Sequence, residues 1–94
     1  MITVRTASHE ISCEGHSGYA RIGKDIVCAA VTSAMRFAEA QLLTLGIEPA
    51  TEVDEKRVYI RISSDAAAAE PVFRAFALLM REYEAEYPKF IRVV

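Results

Sequence analysis

Ninety-four residues, 52% of them apolar and 26% charged, suffice for one globular domain with a single core and exclude a disordered chain. The net charge is −2, and the basic residues, Arg5, Arg21, Lys24, Arg36, Arg57, Arg61, Arg74 and Arg81 among them, form no polybasic run, so direct nucleic-acid binding is not expected. Two cysteines and two histidines without finger spacing argue against a zinc site, and neither a metal nor a cofactor is expected.

Met1 leads straight into an alternating pattern with no visible leader, and no charge-free apolar run reaches the roughly 18–20 residues of a membrane span. The expectation is a cytoplasmic chain, not attached to a membrane, with Cys13 and Cys28 reduced. Ile2-Thr3-Val4-Arg5 reads as a strand, Ala7-Ser8-His9 as a turn and Glu10-Ile11-Ser12-Cys13-Glu14 as the hairpin partner. Alternation puts Ile11 and Cys13 on one face, with Ser12 and Glu14 on the other. His16 falls on the Ser12/Glu14 side if the strand continues.

Residues 15–24 then read as a loop holding Gly15, Gly18 and Gly23, three of the four glycines. Such a cluster suits a mobile functional loop or an ordinary flexible connection. Asp25 is a good N-cap for a helix running to about Leu45, with Gly46 past its end and Pro49 beyond. Val27, Val31, Ala34, Ala38, Leu42 and Leu45 form its expected core stripe, and Cys28, Thr32 and Met35 an adjoining face. With Arg36 and Glu39 as its only charges, the helix is expected to be covered on most sides, with a share in a dimer interface.

Thr51–Val53 and Arg57–Ile62 read as a second hairpin about an Asp54-Glu55-Lys56 turn, with Val58, Ile60 and Ile62 sharing a face. A second helix ends near Tyr87-Pro88; Ser64 or Asp65 could cap its start, while Pro71 suggests a start near Glu70 with Pro71 in the first turn. Its expected stripe is Phe73, Phe76, Leu79, Met80, Tyr83 and Tyr87. Phe90–Val93 adds a short last strand. The order ββαββα, with that possible final strand, predicts a two-layer α+β domain: a small antiparallel sheet with two helices packed on one face.

Cys28 falls at the third helical position, where a helix N-terminus and a neighbouring imidazole favour loss of a thiol proton. Free N–H groups at a helix start also suit a developing oxyanion. His16 is the candidate general base toward Cys28. The plainer alternatives are a small buried thiol on an apolar helix and a solvated loop histidine. Asp25 is first a cap and second a group that orients His16. Gly15, Ser17 and Thr32 are supporting candidates, the last two as hydroxyls beside the pair. Cys13 reads as core.

Gly15-His16-Ser17-Gly18-Tyr19-Ala20, followed by Gly23-Lys24-Asp25-Ile26-Val27-Cys28-Ala29-Ala30-Val31, resembles the ribosomal-processing cysteine protease family called Prp. Tyr87-Pro88-Lys89-Phe90-Ile91-Arg92-Val93 resembles that family's end, so the likeness spans residues 1–94 as a single cysteine-protease domain. Thr32 stands where serine is the commoner residue, and it keeps the hydroxyl. The resemblance implies a Cys–His dyad at Cys28 and His16. It implies a cysteine endopeptidase that removes the short N-terminal extension of large-subunit ribosomal protein number twenty-seven during ribosome assembly, cutting beside an aromatic pair. It also implies a homodimer and a His–Cys loop that moves on substrate binding. The competing reading is a non-catalytic ribosome-associated peptide-binding module. A thiol-redox pair of Cys13 and Cys28 ranks third.

Overall fold

The computed structural model describes residues 1–21 and 24–94; Ile22 and Gly23, the last of the three loop glycines, lie outside the described residues. In chain order come β1 (Ile2–Thr6), β2 (Glu10–Glu14), α1 (Ile26–Thr44), β3 (Ala50–Asp54), β4 (Tyr59–Ser63), a 3-10 turn (Ala67–Ala69), α2 (Glu70–Glu86) and β5 (Ile91–Val93). This is the expected two-layer α+β domain with its final strand in place.

The five strands lie in the order β3-β4-β2-β1-β5. Three pairings are antiparallel, while β5 runs parallel to β1, so the sheet is mixed where a wholly antiparallel one was expected. The reason lies in the connections. Each helix is a crossover between parallel strands, α1 from β2 to β3 and α2 from β4 to β5. Their starting strands run in opposite directions and the crossovers travel oppositely across the sheet. Right-handed connections then put both helices on one face.

A single core fills the space between the layers. From the sheet come Ile2, Val4, Ile11, Cys13, Ile62 and Ile91; from the helices come Val27, Val31, Met35, Ala38, Leu42, Val72, Phe73, Phe76 and Met80. The registers Val4↔Cys13, Cys13↔Ile60 and Ile2↔Ile91 line these side chains up on one face. On the other face Arg61 bridges Glu10 at 3.1 Å and Glu52 at 3.4 Å, pairs too exposed to add much stability.

The buried stripe of α1 is Val27, Val31, Met35, Ala38 and Leu42. Met35 therefore belongs to the core and not to the Cys28 face, whereas Leu45, expected in the core, is 56% exposed. At 19 residues and a mean hydropathy of 1.3, α1 is long and apolar enough to cross a membrane by length and composition; here its buried side packs on the sheet. It is also less covered than expected, with Ile26, Phe37 and Leu43 on the surface. Gly46, at φ +76, ends the helix, and the Ile47 N–H returns to the Leu42 carbonyl.

The second hairpin turns later than expected. The Asp54 carboxylate accepts the Lys56 N–H at 3.0 Å and lies within reach of the Arg57 N–H, a local turn that carries the bend through Glu55–Val58. Val58 therefore leaves the strand and takes φ +51, a conformation that crowds a β-branched side chain. Val58→Gly should relieve this strain and raise stability by about 1 kcal/mol, a Tm gain of about 4–8 °C. Calorimetry of the two proteins measures it, and an unchanged or lower Tm would show that the turn carries no such strain.

Candidate active site

Strand β2 delivers the chain to the site, and the segment after it is tied down at alternate residues. Glu14 accepts from Arg57 Nε at 2.9 Å, and this hydrogen bond holds its carboxyl below the usual glutamate range. Gly15 donates its N–H to the Val58 carbonyl at 3.0 Å. Its φ is +95, and a Cβ there would lie 2.8 Å from the Met1 carbonyl oxygen, so no other residue fits without moving backbone. Ser17 is 2% exposed. Tyr19 packs edge-on against Tyr87 and Phe90, with centroids 5.8 and 5.3 Å away. His16 and Gly18 lie between these anchors and line the groove. Among the described residues the loop is thus pinned at Gly15, Ser17 and Tyr19, and His16 is presented from a held backbone.

Helix α1 delivers the thiol. Asp25 caps it as expected: its Oδ1 accepts the Cys28 N–H at 2.9 Å, and its Oδ2 accepts the hydrogen bond donated by the Ser17 hydroxyl. The Ser17 oxygen in turn accepts the Tyr19 N–H at 3.1 Å. One carboxylate thereby joins the histidine loop to the first turn of the cysteine helix. Partial burial acts to raise the Asp25 pKa. The Ser17 hydroxyl and the N–H groups of Cys28, Ala20 and Val27 outweigh it and hold the carboxyl below the ordinary aspartate value. With both oxygens engaged in this way, Asp25 is a cap and a loop anchor; no hydrogen bond joins it to His16 among the described residues. The Cys28 N–H, engaged by Asp25, is not the free oxyanion donor that a bare helix start would offer.

His16, Asp25, Cys28 and Thr32 line one open groove of about 900 Å³. No hydrogen bond joins His16 to Cys28 among the described residues. Gly15 and Thr32 border a second, mostly apolar cavity of about 330 Å³, which Cys28 and Cys13 also share. Both thiols are free. Cys13, in the core, has its pKa pushed up to about 11, first by burial and then by the neighbouring Cys28. His9, set aside as a turn residue, lies with its Nδ1 3.1 Å from the Ser64 carbonyl. Among the described residues no three His, Cys, Asp or Glu side chains gather as a metal site.

The sequence reading missed the wall of the groove that runs along α1. Ala29, Ser33 and Arg36 continue the surface beyond Cys28 and Thr32. The signal was the spacing 28, 32, 36, which places non-core side chains on one exposed face of an otherwise apolar helix.

The model of the family described as cysteine protease Prp matches residues 1–92. The chain belongs to this family. Comparison with curated proteins finds no match. Among solved structures, the essential ribosomal processing protease Prp from S. aureus, in complex with a covalently linked product peptide, is similar with a TM-score of 0.82 and 22% identity, over 99% of this chain and 97% of that one. The same protease with a substrate peptide gives 0.80 and 22%, over 100% and 98%. SMU.848 from Streptococcus mutans gives 0.78 and 23%, over 98% and 89%. These likenesses show the shared Prp fold.

Two outcomes follow from the geometry. Asp25→Ala should cost about 0.5–2 kcal/mol of stability, as N-cap losses do. Because the Asp25 pKa is lowered in the folded protein, its contribution is complete above the ordinary value of 3.8 and is lost as pH falls through the lower folded value. Denaturant melts at pH 7 and pH 2.5 should therefore show the gap between wild type and Asp25→Ala narrowing in acid; a constant gap would remove the carboxylate's charge from the account. Second, limiting iodoacetamide at pH 7 should alkylate Cys28 well before Cys13, since thiolate fraction and access both disfavour the buried thiol. Peptide mass spectrometry reads the order, and equal rates would show Cys13 to be accessible.

Proposed function

We propose that this chain is a cysteine endopeptidase that removes the short N-terminal extension of large-subunit ribosomal protein number twenty-seven, working in the cytoplasm as a homodimer. The observation that carries the reading is the shared groove: His16 on its anchored loop and Cys28 at the third position of α1 face the same open space. Membership of the Prp family supports the cysteine-protease chemistry, and the ribosomal processing protease from S. aureus with its covalently linked product peptide supports the substrate class. Exposed Phe37 and Leu43 on α1, with Leu45 at its C-cap, support the pairing of two copies.

In this reading His16 takes the Cys28 Sγ proton as the sulfur adds to the scissile carbonyl carbon. Collapse of the tetrahedral intermediate breaks the C–N bond, and His16 returns the proton to the leaving amine. The acyl group stays on Cys28 until water, deprotonated by His16, releases the acid. The two side chains must approach for the first transfer. Since the backbone on either side of His16 is held through Gly15 and Ser17, rotation of the imidazole about its own side-chain bonds is the simplest route. Thr32, one turn beyond Cys28 and exposed to the groove, is placed to offer its hydroxyl to the substrate backbone.

The lack of a His16–Cys28 hydrogen bond is the one observation that also suits a peptide-binding module without catalysis. Incubation with the unprocessed ribosomal protein separates the two. Wild type should release the N-terminal fragment, Cys28→Ala should release none, and His16→Ala should slow cleavage by about 10²–10⁴-fold. Intact-mass spectrometry reads the product. Binding without cleavage by wild type would favour the module, and cleavage that survives Cys28→Ala would dismiss the thiol mechanism.

A further inference from the structure

The peptidase reading uses one of the two thiols and leaves Cys13 without a task. Cys13 stands on β2, on the face that packs against the helices, and is 9% exposed. Cys28, at the third position of α1, packs against the same core, and both thiols are free. The two border one mostly apolar cavity of about 330 Å³, with Ile2, Val31 and Ile60 among its other walls. They are close enough that the Cys28 charge adds to the burial that pushes the Cys13 thiol up to about 11. A cysteine in closed packing is an inert small hydrophobe. Cys13 is not in closed packing, because it borders a cavity, and the candidate nucleophile stands on the wall of that same cavity.

Access sets the order of events. Cys28 also lines the open groove of about 900 Å³, so a dissolved hydroperoxide meets it before the buried Cys13. Oxidation of a thiolate by a peroxide gives a sulfenic acid, which condenses with a neighbouring thiol. The sequence holds two cysteines, so Cys13 is the one thiol of the chain that an oxidised Cys28 can meet. The change at Cys28 also removes the thiolate charge that helps to keep the proton on Cys13. A disulfide requires the two Cβ atoms within about 3.5–4.5 Å. The cavity between the walls gives the Cys28 side chain and the first turn of α1 room to settle onto Cys13.

We infer that Cys28 and Cys13 are a reversible oxidation site: a hydroperoxide oxidises Cys28, and Cys13 closes a disulfide on it. The Cys28 sulfur attacks one oxygen of hydrogen peroxide, the O–O bond breaks, and the Cys28 proton leaves with the other oxygen as water. The Cys13 sulfur then attacks the Cys28 sulfur of the sulfenic acid. The S–O bond breaks, and the hydroxide leaves with the Cys13 proton as a second water. Two electrons pass from the thiol pair to the peroxide, and an external dithiol returns them by exchange. The bond silences Cys28 and shields it from the sulfinic acid, which thiols do not reverse. The closed ring runs from residue 13 to residue 28 and holds His16, Ser17 and Asp25 within it. That the bond stops proteolysis rests on the peptidase reading; that it forms does not.

Wild type and Cys13→Ala, reduced and freed of reductant, are treated with about a tenfold excess of hydrogen peroxide at about pH 7. Intact mass is read first; the proteins are then unfolded, blocked with iodoacetamide and mapped as tryptic peptides without reduction. Wild type should lose about 2 Da and yield residues 6–21 joined to residues 25–36, and dithiothreitol should part them. Cys13→Ala should instead carry a Cys28 sulfinic acid, a gain of about 32 Da that dithiothreitol does not remove. With the unprocessed ribosomal protein as substrate, dithiothreitol should restore oxidised wild type almost fully and oxidised Cys13→Ala to less than about a tenth. Circular dichroism checks the fold of Cys13→Ala, and the wild-type map decides alone if that variant unfolds. A wild type that gains about 32 Da at Cys28 with Cys13 still free, a bond formed only between two copies, or two thiols untouched by peroxide overturns the inference. Linked peptides from a chain that cleaves nothing in either redox state sink the peptidase reading alone. Cleavage by the reduced protein with no link formed on oxidation sinks the oxidation site alone.

Discussion

The site depends on one carboxylate. Asp25 accepts the Cys28 N–H with one oxygen and the Ser17 hydroxyl with the other, so the start of α1 and the histidine loop are fastened to the same group. A helix start has N–H groups without intrahelical partners, and a buried serine hydroxyl needs an acceptor. One side chain meets both needs, and in doing so it sets the backbone that carries the thiol against the backbone that carries the imidazole. The low pKa of Asp25 expresses the same fact, because the donors around it favour the charged form over the burial that opposes it.

The anchors have a mechanical meaning. Gly15 is held by Val58 and crowded by Met1, Ser17 is buried, and Tyr19 sits against Tyr87 and Phe90. A large swing of this segment requires breaking the Ser17–Asp25 bond and lifting Tyr19 off its aromatic neighbours. The glycine content suits a mobile loop or an ordinary connection; among the described residues the backbone is tethered at intervals, with the histidine between tethers.

What was legible in the sequence was local. Asp25 as a cap, Cys28 at the third helical position and Pro71 in the first turn of α2 depend on neighbours within a few residues, and each is found in place. What escaped depends on distant partners. The parallel pairing of β5 with β1 joins the two ends of the described chain, which no window of sequence contains. The buried stripe of α1 takes Met35 where Ala34 was expected, because both fit a helical period and only the sheet beneath decides between them. Val58 was placed in a strand because its side chain favours one; the Asp54 turn overrode that preference.

The pairing of Ile2 with Ile91 has a further bearing on how the domain assembles. β1 lies between β2 and β5, so the strand nearest the start of the chain gains its second neighbour only when the segment near the end arrives. The α2 crossover must already lie against the sheet for β5 to reach that edge. Local hairpins such as β1–β2 close quickly, whereas this contact joins strands at nearly the full sequence separation of the chain and waits for the elements between them. During synthesis on the ribosome β1 therefore keeps one edge unpaired until β5 has emerged, and the order of assembly runs from the hairpins outward to the seam between the two ends.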